Sequence, residues 1–305
     1  MSLYLVIAII AYSLFAVNGI IDKFLLTKAV RSPAVYAFFI GITGPLTFVL
    51  IPFSFIPGLH MGFKFLSWGD LLIAITGGAS FVLALYFLYK ATQKTSVSRI
   101  LPIEGGLVPV CTLAFAYLIL GERLLPTQLV AFVFLVVGAV IISLKQDKNG
   151  WHAQALGNAI IAAILFALSF VLTKYTFDHS NFISGLVWTR LGFFVVAMSF
   201  LLSKPVRYGI FNAPKETTKG NKFLYLGARV SGSISGFLQN YAISLGSVTI
   251  VNAMQGTQYA LLLIGTVVLS KYYPKILKEE VTQRILIQKV FAIALIALGL
   301  IFLTF

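Results

Sequence analysis

Long apolar runs alternate with short charged joints along the whole 305-residue chain. A helix needs about 20 residues to cross roughly 30 Å of hydrocarbon, and each run is close to that length. Lipid offers no partner for unpaired backbone groups, so runs of this length are expected to be helices, whereas a β-barrel would show shorter, alternating segments. The pattern predicts an all-α membrane protein with ten transmembrane helices. Their approximate ranges are 3–26, 34–56, 69–89, 97–120, 126–144, 155–177, 181–203, 223–245, 247–270 and 285–305.

The composition supports this class and narrows the expected partners. Hydrophobic residues make up 59% of the chain and charged residues only 10%, against roughly 25% charged residues in a soluble domain. The net charge is +14, but the basic residues stand in the joints and not on one soluble face, so nucleic acid is not an expected partner. Basic joints on a membrane protein are instead expected to attract the anionic lipids of the bilayer.

We expect no metal site, no disulfide and no cleaved leader peptide. Cys111 is the only cysteine, which excludes an intrachain disulfide and a cysteine metal cluster. His60, His152 and His179 stand in separate joints without ligand spacing, so we expect no metal and no cofactor. The N-terminus lacks a basic region before its long apolar stretch, which predicts a retained first span.

The two halves of the chain match each other at one constant offset. Lys23 corresponds to Lys174, an offset of 151 residues, and Glu104 corresponds to Gln255, its near isostere. At the same offset Gly41, Ala91, Ser96-Val97 and Gly105 correspond to Gly192, Ala242, Ser247-Val248 and Gly256. We therefore predict two five-helix repeats, residues 1–150 and 151–305. Five spans per repeat place the halves in opposite orientations, a recurring transporter architecture with the site at the interface of the repeats.

The basic residues are distributed unequally between the two sides of the predicted bundle. Of the 23 Lys and Arg residues, 18 lie in joints after odd-numbered spans and three in joints after even-numbered spans. The positive-inside rule then places the odd-numbered joints in the cytoplasm. Both termini are accordingly expected outside, in a multi-pass protein of the plasma (inner) membrane.

The segment 109–144 carries a recognisable pattern. An apolar stretch starting at Pro109 is followed by Gly121-Glu122-Arg123 and then by another apolar span. This arrangement resembles the fourth and fifth helices of EamA-type domains in the drug/metabolite transporter superfamily, and Lys23, Lys174 and Arg190 fit the pattern of that family. The resemblance covers essentially the whole chain in two halves. It implies a secondary transporter, often an exporter of amino acids, metabolites, nucleotide conjugates or toxic compounds. Together with the inverted repeats, we predict an exporter or exchanger of a small polar metabolite that works by alternating access.

The chain departs from the family pattern at three points. The second half lacks the Gly-Glu signature and has Tyr272-Tyr273-Pro274 in its place. Position 39 is Phe where the second half has Arg190. The usual family orientation has cytoplasmic termini, which is opposite to the orientation that the charge count predicts.

Three ionisable residues lie inside predicted spans, namely Glu104, Arg190 and Arg229. Such groups cost several kcal/mol in lipid and therefore normally face an interior cavity. Glu104 is interpreted as a proton-coupling carboxylate or as an ion-pair partner of Arg229. The two guanidinium groups are suited to capture a carboxylate or phosphate, which favours an anionic or zwitterionic substrate. The alternative for Glu104 is a structural contact between helices, and the alternative for the two arginines is charge compensation of Glu104 and of backbone carbonyls.

Polar faces in spans eight and nine are the remaining candidates for a substrate pathway. Asn252, Gln255 and Tyr259 follow helical spacing along span nine, and Gln239 and Asn240 lie in span eight. They are expected to line the pathway or, alternatively, to form hydrogen bonds between helices.

Three further residues have two interpretations each. Trp188 stands two residues from Arg190 and is a candidate for stacking on substrate, or else a packed or lipid-facing ring. Lys23 and Lys174 are interpreted as interface residues that extend to the two membrane surfaces, or as gates.

Two other functional classes stay open as alternatives. An intramembrane enzyme acting on a lipid-linked substrate would need paired carboxylates or a His/Ser/Asp arrangement, and only Glu104 lies well inside a span among nine acidic residues. A non-transporting structural subunit, or a channel with rings of like charge, is the second alternative. We predict a non-enzymatic carrier that binds a small-molecule substrate and exists as a monomer or homodimer.

Overall fold

The computed structural model describes residues 2–25, 32–55, 62–95, 97–144, 153–212, 219–272 and 283–304. The side chains of residues 21–25, 97–99, 219–229, 270–272 and 283–286 lie outside this description. All regular secondary structure in the described residues is helical, as the apolar runs predicted. The α-helices are α1 (Leu3–Leu25), α2 (Pro33–Gly41), α3 (Trp68–Thr92), α4 (Val97–Phe115), α5 (Pro126–Ser143), α6 (Ala153–His179), α7 (Phe182–Phe200), α8 (Lys204–Phe211), α9 (Lys219–Leu245), α10 (Val248–Ala253), α11 (Gln255–Tyr272) and α12 (Gln283–Phe302).

Local sequence signals set several helix ends. The Ser67 hydroxyl accepts a hydrogen bond from the Asp70 backbone N–H at 3.2 Å, and Asn181 caps α7 in the same way through Ser184 at 2.9 Å. Pro126 begins α5, where its missing N–H costs nothing. Gly121 ends the fourth span with a φ of 66°, a left-handed conformation that glycine adopts without steric cost.

Three predicted spans are not continuous α-helices. The span predicted at 34–56 is α2 followed by a 3₁₀ segment, Gly44–Phe55. The fourth span ends in a π-helical turn, Ala116–Leu120, and the span predicted at 247–270 is divided at Met254 into α10 and α11. The sequence analysis also missed α8, which lies in a stretch assigned to a loop.

Seven helical segments among the described residues are long and apolar enough to cross a membrane. They lie within Leu3–Ile20, Pro33–Phe55, Trp68–Thr92, Ile100–Leu120, Pro126–Ser143, Ala153–His179 and Phe182–Phe200, and Ile287–Phe302 is a shorter apolar helix. The chain is thus a multi-pass helical membrane protein. The number of ten crossings and the two-repeat arrangement stay predictions.

The helices pair unevenly around the bundle. α3 packs along α6 and also against α7, whereas α9 packs along α1 and has little contact with α7. α7 further packs on α2 and the 3₁₀ segment, and α5 packs on α12. The result is two walls, one built on α3 and α7 and the other on α1 and α9, with space between them.

Glycines allow the backbones of α3 and α7 to approach closely. A Cβ atom at Gly78 would lie 1.8 Å from the Thr189 carbonyl oxygen, and one at Gly192 would lie 2.1 Å from the Ile75 carbonyl oxygen. Both neighbours are backbone atoms, which cannot move aside as a flexible side chain would. The crossing therefore requires glycine on each helix.

Replacing Gly192 with Ala is expected to destabilise the protein by at least about 1–3 kcal/mol, because the new methyl group overpacks a backbone contact. Thermal unfolding in detergent measures the effect. Gly157→Ala is the matched control, since nothing lies within 4 Å of a Cβ there. Equal melting temperatures for the two variants would contradict the close crossing.

Candidate functional site

Side-chain contacts close the end of the bundle at which α1 begins, here called the N-terminal end. Tyr4 covers Gly246, where a Cβ would lie 2.4 Å from the ring. The Asn181 side chain donates to the Gly62 carbonyl at 2.7 Å, and the Lys64 backbone N–H donates to the Ser184 hydroxyl at 2.8 Å. These bonds join the segment before α3 to the beginning of α7.

Glu122 lies at the same end and joins the two halves of the chain. The Ser247 hydroxyl donates to the Glu122 carboxylate and also accepts from the Ile250 backbone N–H at 3.0 Å, so it caps α10. Arg123 stacks on Tyr117 at 5.1 Å. The Gly-Glu-Arg segment of the first half is thereby tied to the beginning of α10.

Lys174 is held by protein groups at the N-terminal end. Its ammonium group lies 2.9 Å from the Asp178 carboxylate and donates to the Ser244 carbonyl at 3.4 Å. The lysine therefore links α6 to α9. The side chain of Lys23, its counterpart in the first half, lies outside the described residues.

A cavity of about 890 Å³ lies between the two walls. Its lining extends from Tyr36 in the first turn of α2 and Tyr89 in the last turn of α3 to Leu186 and Asn240. Tyr36 and Tyr89 lie at the end opposite the N-terminal end, because successive spans run in opposite directions. The cavity thus reaches the opposite end of the bundle.

Arg190 is the charged residue that the structure places on the cavity wall. It stands midway along α7, and its guanidinium carbon lies 4.2 Å from the centroid of the Phe193 ring. The stacking orients the group by a cation–π contact. Among the described residues, none forms an ion pair or a side-chain hydrogen bond with this guanidinium, so its donors are available to a ligand.

Two buried polar atoms of the cavity lining have no hydrogen-bond partner. They are the side-chain oxygens of Asn18 and Thr189, and these residues are 7% and 4% exposed. The Asn18 amide nitrogen donates to Ser235 at 3.4 Å, which anchors it to α9. An unpartnered buried oxygen costs about 1–3 kcal/mol, and a bound ligand can remove that cost.

Gln239 and Asn240, predicted for the pathway, both line the cavity. The Gln239 amide donates to the Tyr12 hydroxyl at 3.1 Å, and that hydroxyl donates to the Val251 carbonyl at 2.8 Å. The Asn240 amide donates to the Gly236 carbonyl of its own helix at 2.7 Å. Gln239 therefore connects the cavity to α10.

A second polar group lies around Glu104, which is half-buried in α4. Tyr259 packs against the neighbouring Gly105, where a Cβ would lie 2.8 Å from the ring, and is within electrostatic reach of Glu104. Gln255 donates to the Tyr259 hydroxyl at 2.9 Å. Asn252 is buried nearby on α10, and its amide nitrogen is unpartnered. The helix is interrupted at Met254, between Asn252 and Gln255.

Two sequence-predicted residues fall elsewhere. Trp188 donates from its indole nitrogen to the Lys64 carbonyl at 3.1 Å and stacks with Phe63 and Phe65. The residue therefore packs on the segment before α3, and it is not in the cavity lining. Arg229 lies on α9, but its side chain is outside the described residues, as is any pairing with Glu104.

The sequence analysis did not single out Asn18, Thr189 and Tyr12. Asn18 carried a usable signal, since an amide within an otherwise apolar span is costly in lipid. Thr189 and Tyr12 carried none, because both residue types are ordinary in transmembrane helices. Within the described residues, no group of three or more His, Cys, Asp and Glu side chains is placed to hold a metal ion.

Comparisons with known proteins show what the chain is similar to. No curated protein matches the chain. A protein crystal structure superimposes with a TM-score of 0.68 at 16% sequence identity, over 99% of this chain and 96% of that chain, which shows a shared fold. Residues 2–144 match the model of the EamA-like transporter family. The match covers a little less than half of the chain, and it agrees with the resemblance to EamA-type domains that the segment 109–144 carries.

Proposed function

We propose that the protein is a secondary transporter, an exporter or exchanger, of a small anionic or zwitterionic metabolite that binds in the cavity. The observation that carries the proposal is the guanidinium of Arg190, which lies in an 890 Å³ cavity without an anionic partner among the described residues. A charge inside a membrane-spanning segment is normally compensated or functional. An anionic substrate supplies the missing compensation.

We further propose ten spans in two inverted five-helix repeats. At the repeat offset, α3 corresponds to α9 and α6 to α1, and the α3–α6 pairing has its counterpart in the α9–α1 pairing. The pairs α5–α12 and α2–α7 each map onto themselves under the same exchange. These correspondences support a pseudo-symmetric carrier with its site between the halves.

The contacts of α3 and of its counterpart α9 differ, and this departure from the pseudo-symmetry supports alternating access. α3 packs against α7, whereas its counterpart α9 has little contact with α7 or α2. We propose that the structure is the state open towards the end opposite the N-terminal end. Closing α9 onto the α7 wall while releasing the N-terminal contacts would expose the cavity to the other side. By the charge count, the open end of this structure is cytoplasmic.

Glu104 is proposed as the coupling carboxylate. It lies with Tyr259 and Gln255 behind the cavity, and no described residue forms an ion pair with it. The Gln239–Tyr12 hydrogen bond leads from the cavity lining to α10, next to this group. A change in the charge of Glu104 can thus act on the helices that bound the cavity.

The proposed setting is the plasma membrane, with both termini outside and anionic lipids at the basic joints. The protein is proposed to act as a monomer or homodimer. An intramembrane enzyme or a non-transporting structural subunit is the rival function. Neither accounts for a closed end, a cavity and an uncompensated guanidinium in one bundle.

Purified protein in liposomes is expected to catalyse flux of a small organic anion or zwitterion, and the Arg190→Gln protein is expected to lose at least about tenfold in rate, since charged hydrogen bonds contribute about 1.5–3 kcal/mol. Arg207→Gln on α8 is the control, because that side chain is exposed. Chemical turnover of a lipid-linked substrate without flux would support the enzyme instead.

Replacing Glu104 with Gln keeps the side-chain volume but removes the titratable group, so transport is expected to lose its dependence on pH. The measurement is initial flux in liposomes across a pH series with equal pH on both sides. Asp178→Asn, an exposed carboxylate at the N-terminal end, serves as the control and is expected to retain the dependence. An unchanged pH profile in Glu104→Gln would remove the coupling role.

Cysteine labelling tests the orientation. In a Cys111→Ala background, Ser2→Cys is expected to react with an impermeant maleimide added to intact cells, because the charge count places the N-terminus outside. Asn212→Cys, at the exposed end of α8, is expected to react only after lysis. The reverse pattern would establish cytoplasmic termini, the usual orientation of the family.

A further inference from the structure

The two walls of the cavity present different chemistry to a ligand. We infer that the substrate bridges them: its acidic group binds Arg190 on α7, and a separate hydrogen-bond donor binds the side-chain oxygen of Asn18 on α1, with an apolar body between. This inference rests on the proposed transport function and names the substrate class of the same cavity. It assigns Asn18 as a second specificity-determining residue.

The first wall offers a single positive group. Arg190 is fixed by its stacking on Phe193 at 4.2 Å and by its place on α7, which is packed tightly on α3 through Gly78 and Gly192. A guanidinium fork held in this way suits a planar carboxylate, which accepts two parallel hydrogen bonds. The rigid backing fixes the position at which the acidic group of a ligand binds.

The second wall offers an acceptor. The Asn18 oxygen is buried, unpartnered and part of the cavity lining, while the amide nitrogen of the same side chain is bonded to Ser235. An oxygen held in this way needs an N–H or O–H donor. A ligand with only an acidic group would leave it unsatisfied.

The space between the walls is mostly apolar. Phe15, Phe81, Phe170 and Phe237 come from four different helices and line the same cavity. A ligand body without charge, and preferably with a flat ring, can pack against these rings. A small, fully hydrated anion would leave most of that surface uncovered.

A ligand that binds both walls would also couple substrate binding to movement of the walls. α1 and α9 form one packed pair and α7 belongs to the other wall, with little contact between them. A ligand that binds both Arg190 and Asn18 adds attraction across this gap. The interaction is present only when the walls are near each other, so it favours the closed arrangement.

The test uses three probes that differ by one group each: phenylpropionate has the acid alone, para-hydroxyphenylpropionate has the acid and a distant donor, and para-ethylphenol has the donor alone. Dissociation constants are measured on the purified full-length protein in detergent by calorimetry. We expect the dissociation constant of para-hydroxyphenylpropionate to be at least about fivefold lower than that of phenylpropionate. We expect para-ethylphenol to bind at least about tenfold more weakly than para-hydroxyphenylpropionate.

Variants then assign each group to its wall. Asn18→Leu is expected to bring the affinity ratio of the two acids close to one without weakening phenylpropionate. Arg190→Gln is expected to weaken both acids by a similar factor and to leave para-ethylphenol unchanged. Because the ratio is measured within one variant, it does not depend on the fraction of folded protein.

Asn158→Leu is the matched control for Asn18. Asn158 is also a buried amide with an unpartnered atom, but it is not in the cavity lining, so the ratio is expected to stay as in the unmodified protein. Equal affinities for the two acids in the unmodified protein, or failure of both acids to bind, would overturn the bridging inference. Robust flux of a cation in liposomes would also overturn it while leaving transport intact, whereas absence of flux for every metabolite class would overturn the transport function.

Discussion

The structure depends on one electrostatic constraint, the placement of a guanidinium in the middle of a membrane-spanning helix. Lipid cannot solvate Arg190, so the surrounding helices must provide an environment that does. They do so with a cavity of about 890 Å³, aromatic stacking from Phe193 and polar atoms from several helices. The compensation by protein groups is incomplete among the described residues. The proposed anionic substrate would complete this compensation.

The surrounding packing supplies two walls that have little contact with each other across the cavity. Glycines at the α3–α7 crossing bring two backbones into contact and fix Arg190 on one wall. α1 and α9 pack on each other, α1 also packs on α11 where Gly19 meets Leu262, and Lys174 bonds Ser244 of α9 at the N-terminal end. Few contacts join α9 to α7, which leaves the cavity between the two walls.

The sequence predicted the helical class and the places of the helices because apolar runs of bilayer length have few alternatives in lipid. It also identified Arg190, Gln239 and Asn240 in the cavity lining, since polar groups in apolar spans are costly. The division of the ninth span at Met254 and the 3₁₀ segment after α2 were missed, because their signals are weak against a uniform apolar background. Trp188 is close to Arg190 in the sequence, but its indole nitrogen donates a hydrogen bond to the Lys64 carbonyl. Asn18 was passed over although an amide in an apolar span is a usable signal, and the fold shows its place by bringing α1 beside α9 and leaving its oxygen unpartnered.

The central claim, that a positive charge at position 190 binds the transported anion in a water-accessible cavity, is tested most directly by chemical rescue. Arg190→Cys is made in a Cys111→Ala background, and anion flux is measured in liposomes before and after methanethiosulfonate treatment. The aminoethyl reagent, which restores a positive charge, is predicted to recover flux, while the sulfonatoethyl reagent is predicted to leave it low. Equal flux after both reagents, or no reaction of the cysteine in the native protein, would contradict the account.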